Sequence, residues 1–70
     1  MMPLVFANPG ETQVIVKVGG APDVRQHLED MGFHPGQQVI VISSRSGNLI
    51  VKVKESRVAI SEELARRIMI

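Results

Sequence analysis

Few side chains in this sequence are placed to do chemistry. His27, Asp30 and His34 are spaced by three and four residues, with Glu29 beside them. Two imidazoles and a carboxylate can ligate a transition metal, which takes three or four donors in fixed geometry. His27 and Asp30 fall on one face of a helix, whereas His34 lies past the helix end and joins them only if the chain folds back. The set is a weak candidate for divalent metal, weighed against two histidines that are simply solvent-exposed. Ser43, Ser44, Ser46, Ser56 and Ser61 stand in turns or at a helix start, with no G-x-S-x-G elbow around them. Gly19-Gly20 precedes a helix without the spacing of a phosphate-cradling loop. Neither a catalyst nor a resident cofactor is expected.

A second cluster is cationic. Arg45, Lys52, Lys54 and Arg57, less the single Glu55, give four minus one, a net of +3 around one hairpin region. Such a patch can hold the phosphates of RNA, and an RNA-binding barrel is the alternative function of a different class. Phe6 and Phe33 are the only aromatics, however, so the stacking platform of a single-strand binder is missing. A solvated charged face is the simpler reading, and no nucleic acid is expected. The absence of Tyr and Trp argues equally against an aromatic-lined groove for proline-rich peptides.

The totals bound the rest. Seventy residues make one domain (1–70), in which a core of Val, Ile, Leu and Met must do what aromatics do elsewhere. A chain of this size buries only about 60% of the surface it exposes when unfolded, so its elements must cooperate. There is no Cys, hence no disulfide and no thiolate site, and a reducing interior is the simplest home. The net charge of +1 is too balanced to predict tight binding to an anionic membrane. No apolar run reaches the ~18 residues of a spanning helix, and the start lacks the basic region of a signal peptide. The expectation is a soluble, intracellular protein that does not insert into a membrane.

The elements that position these side chains follow from periodicity. Val24, Leu28 and Met31 recur at i, i+4 and i+7, the stripe of a short helix opened by Pro22 and Asp23. Gly32 supplies the left-handed residue that ends it, and Phe33 can pack back on the last turn. Pro35-Gly36 suits the centre of a type II turn. Glu29 and Asp30 oppose the helix dipole, which points to a functional misfit, a solvated face or a local side-chain bond. Thr12 to Val18 alternates as a strand, with Val14, Val16 and Val18 on one face and Gln13, Ile15 and Lys17 on the other. Gln37 to Ser43 and Asn48 to Lys54 form two more strands, joined by a loop at Arg45–Asn48 in which Gly47 or Asn48 supplies any positive φ. A tight turn at Glu55-Ser56 leads to a strand at Arg57–Ile60. Ser61 caps a terminal helix, in which Glu62/Arg66 and Glu63/Arg67 have the favourable i, i+4 order. Leu64, Ala65 and Ile68 are its buried side, and Met69-Ile70 forms a last strand.

Leu4 and Phe6 either cover one edge of the core or belong to a loose terminus. Pro9-Gly10 before Val14-Ile15-Val16 echoes Pro35-Gly36 before Val39-Ile40-Val41, as two strands entered by one kind of turn. Short strands with one inserted and one C-terminal helix give a mostly β fold, a small SH3-like barrel that removes exposed edges. If the valines face inward, Ile15, Ile40, Ile42 and Ile50 face outward and need a cover. The two helices are one choice, and a partner protein or a second copy is the other.

Arg25-x-x-Leu28-x-Asp30-Met31-Gly32-Phe33-x-Pro35-Gly36 closely resembles the signature of the ferrous iron transport protein A (FeoA) family. Arg57-Val58-Ala59-Ile60-Ser61-x-Glu63-x-Ala65 looks like that family's last strand and helix, and Pro9-Gly10-Glu11 before a Val-rich strand is also similar. The resemblance implies an SH3-like barrel in the cytoplasm. It also implies an accessory role to the ferrous-iron transporter FeoB, a membrane protein with a cytosolic GTP-binding portion. The contact it suggests uses Arg25, Leu28, Met31 and Phe33, although Leu28 and Met31 fit a core equally well. Gln26 and His27 stand where the family often has further basic residues, and the Arg45–Asn48 hairpin is shorter than usual.

Overall fold

Two turns of one kind set the entry to the sheet. In the computed structural model, which describes residues 1–70, Gly36 has φ +89° and Gln37 N–H donates to the His34 carbonyl at 3.1 Å. Gly10 has φ +87° and Glu11 N–H reaches the Asn8 carbonyl at 3.4 Å. Both are Pro-Gly turns with a positive φ at the second central residue, the type II pattern. The echo between the two segments is thus a shared turn and not a repeated unit.

Strands β1 (Thr12–Val14), β3 (Gln38–Arg45), β4 (Asn48–Val53) and β5 (Ser56–Ser61) form an antiparallel sheet in the order β1-β3-β4-β5. The β3–β4 hairpin turns through Ser46 and Gly47 at φ +52° and +78°, as a type I′ turn requires. Asn48 already belongs to β4. The next turn is centred on Lys54 and Glu55, one residue earlier than expected, and Lys54 takes φ +56°. A register shift between Val41 and Ser43 bends β3. A second sheet pairs β2 (Lys17–Val18) with β6 (Ile68–Met69). The N-terminus joins β6 through a Pro3–Met69 bridge and a reciprocal pair of bonds between Met2 and Ile70. The first residues are therefore tied down: Leu4 is fully buried, although Phe6 stays exposed. These two curved sheets and the elements that close them make the expected SH3-like barrel.

The Thr12–Val18 segment departs from simple alternation. Ile15 and Val18 are buried, whereas Val14 and Val16 are 49% and 56% exposed. The cause is a change of partner in mid-segment. Ile15 exchanges bonds with the turn, donating to Gln37 O and accepting from Gly36 N, and Val16 N–H then donates to Met69 O at 2.8 Å. The chain leaves one sheet for the other at this point. Up to Val16 the alternation holds with Gln13 and Ile15 inward and Val14 and Val16 outward, and the phase is reset only beyond Val16, which brings Val18 inward.

Ile15 is therefore core and needs no cover. Ile40, Ile42 and Ile50 do lie on the outer side of the sheet, each half-buried. Neither helix covers them. α1 (Pro22–Asp30) and α2 (Glu62–Ala65) send Leu28 and Ala65 into the core with Val39, Val51 and Val53, on the inner side. α2 is a single turn. Ser61 caps it by accepting from Leu64 N–H at 3.1 Å, and Arg66 already forms its C-cap. Arg67 lies past the helix, so Glu63 and Arg67 do not share the helical face that periodicity suggested.

Candidate functional site

Helix α1 begins with Pro22 and carries Asp23 in its first turn. Its end is a complete Schellman motif. Gly32 N–H donates to Glu29 O and Phe33 N–H to Leu28 O, each at 2.9 Å, with Gly32 at φ +104°. The apolar contact that belongs to this motif joins Leu28 and Phe33, both 0% exposed. This lock fixes where α1 stops and where Pro35 emerges. It also means that two of the four residues proposed for partner contact, Leu28 and Phe33, have no surface to offer. Their role is to hold the helix in place. Met31 is half-buried against the core, and Arg25 alone is exposed.

Arg25 lines an open groove of about 580 Å³ between α1 and β2. One wall is Pro22, Arg25, Gln26 and Glu29, and the other is Val16, Lys17 and Val18, with Pro35 at the end. Gln26 is held by Asp30, its Nε2 donating to Oδ1 at 2.8 Å, whereas Arg25 takes part in no side-chain hydrogen bond. A guanidinium left free beside exposed Val16 and two prolines can donate a forked pair of bonds to a carboxylate while its stem packs on apolar surface. Strict alternation hid half of this groove by placing Val16 inside. The opposite phase of the same alternation, with Ile15 inward, places Val16 on the outside.

The Gln26–Asp30 bond also accounts for the acid at the helix C-terminus, which is satisfied locally. His27, Asp30 and His34 are not brought together, and no three His, Cys, Asp or Glu side chains are grouped as a metal would need. His34 lies beyond the Schellman cap, just before Pro35. The serines form no constellation, and Ser61 Oγ is engaged in capping. Buried polar side-chain atoms without a partner are absent.

The sequence matches the FeoA domain family over residues 2–70. This chain belongs to the FeoA family. It is 36% identical over 70 residues to a Methanocaldococcus jannaschii protein assigned the name Fe(2+) transport protein A, covering all of this chain and 85% of that one. A crystal structure of an iron uptake regulatory protein (FeoA) superposes with a TM-score of 0.88 at 34% identity, over 96% of this chain and 91% of the other. The FeoA of Stenotrophomonas maltophilia, crystallised with zinc and described as a procaryotic SH3 domain protein, gives 0.87 at 24% identity, over 99% and 88%. That last likeness concerns the fold alone, and with it the FeoA domain here is SH3-like.

Proposed function

We propose that this FeoA-family chain is an accessory protein of ferrous-iron transport that regulates the transporter FeoB by docking on its cytosolic GTP-binding portion. The observation that carries the reading is the family match across essentially the whole chain, to proteins named for Fe(2+) transport and iron uptake regulation. The exposed Arg25 on the wall of the groove between α1 and β2 supports a contact there. In this reading the protein is a binding module and not a catalyst, and it works in the cytoplasm. No helix is long and apolar enough to cross a membrane, so the membrane step belongs to the partner. Contact through Arg25 and the groove replaces contact through Leu28 and Phe33. Titration calorimetry of the purified protein against the cytosolic portion of its own transporter tests the reading. Saturable binding is expected, and heats no larger than dilution would refute it.

A further inference from the structure

The edge of the sheet at β5 is open. β5 pairs with β4 through six consecutive residues, from Ser56 to Ser61, with no bulge. β5 is the last strand of the sheet, and from Ser56 to Ile60 its backbone groups take part in none of the turn, loop and cap bonds of the molecule, while Ser61 is also the N-cap of α2. Alternate residues of such a strand turn both N–H and C=O outward, a template for one more strand. Ser56, Arg57 and Ala59 are exposed.

The charge on the outer face next to this edge is one-sided. Thr12, Ile40, Lys52 and Arg57 form one row across the four strands, so Lys52 and Arg57 stand directly opposite each other, both exposed. Like charges in this position oppose pairing, and no acid shares the row. Lys54, in the turn before β5, instead lies along Gly32 at the end of α1, 3.8 Å from the position a Cβ would take there, so the basic row next to this edge is Lys52 and Arg57. A second copy of this chain is a poorer occupant, because β5 carries no acid and its antiparallel addition brings a second Arg57 and Lys52 to the edge with no counter-charge. An acidic strand relieves the Lys52–Arg57 repulsion instead. Strand spacing places its carboxylates within about one Debye length of both cations.

We infer that β5 is a docking edge for an extended, acidic segment of a partner protein, which adds as a fifth strand with its carboxylates over Arg57 and Lys52. Main-chain bonds supply the pairing, and the basic row selects the acidic sequence. This edge shares no residue with the Arg25 groove, so the inference does not depend on which partner uses that groove.

The test uses the intact protein and a synthetic peptide of alternating Glu and Val, about ten residues long, the upper range of a strand. Binding is followed by amide chemical shifts and hydrogen exchange. The expected result is saturable binding that slows exchange of backbone amides within Ser56–Ser61. Arg57→Glu should weaken it about tenfold, with an unchanged circular dichroism spectrum. A peptide N-methylated at alternate backbone nitrogens should not bind, a control that leaves the protein untouched. Absence of binding, binding without protection of β5, or retention of the N-methylated peptide would each overturn the inference. A single-stranded RNA oligonucleotide and phosphatidylserine vesicles are run in parallel. Tighter binding to either than to the peptide would also overturn it and assign the basic row to that ligand.

Discussion

Leu28 is where the fold and the groove meet, and truncating it gives a calculable loss. Its side chain is 0% exposed and lies in the same core as Phe33, Val51 and Val53. Leu28→Ala removes three buried carbons, about 2.4 kcal/mol at about 0.8 kcal/mol each. Incomplete collapse of the site adds a cavity cost, for a total of about 3 kcal/mol inside the usual range of roughly 2–5. A domain of this size has on the order of 4–10 kcal/mol in all, so the variant should remain folded at room temperature but much weakened. At roughly 4–8 °C per kcal/mol for small domains, its melting midpoint should fall by about 12–24 °C. Thermal and urea unfolding followed by circular dichroism measure this directly. A fall of less than about 5 °C, or about 1 kcal/mol, would show that Leu28 is not locked under the helix end and would return it to the list of surface contacts.

Other consequences follow from single features. Gly32→Ala forces a Cβ onto a residue at φ +104°, with Val53 Cγ2 at 3.5 Å from it, and should cost about 1–2 kcal/mol in denaturant unfolding. Ser61→Ala removes the only side-chain cap of α2, and should destabilise by about 0.5–2 kcal/mol. Val14→Ser and Val16→Ser should change stability by no more than about 0.5 kcal/mol, because both side chains are half-exposed. A loss near that of a core valine would contradict the outward placement of Val14 and Val16.

The parts of the fold that local chemistry dictates were legible in the sequence. The i, i+4, i+7 stripe, Pro22, Gly32 and Phe33 each announce a piece of α1, and the structure assembles them as one Schellman motif. The β3–β4 hairpin and the Ser61 cap are similarly local. Alternation holds through Val16 but in the phase that buries Ile15, and it breaks only where the chain changes sheets between Val16 and Val18; that path depends on Gln37 and Met69, which are remote in sequence. The same long-range event separates the groove wall at Val16 from the core. For the site, a motif marks residues that matter without saying why. Arg25, Leu28, Met31 and Phe33 belong to one signature, yet Leu28 and Phe33 build the helix end and Arg25 faces out. The metal set failed on geometry: the helix ends before His34, and the chain does not fold back to bring His34 to His27 and Asp30.

Arg25→Glu tests the central claim most directly. Arg25 is exposed and unbonded, so the variant should unfold at the wild-type temperature. Titrated against the cytosolic portion of the transporter, it should bind at least about tenfold more weakly than the wild type, as expected for reversal of a charge inside an interface. Wild-type affinity in a folded Arg25→Glu protein would contradict docking through the groove between α1 and β2.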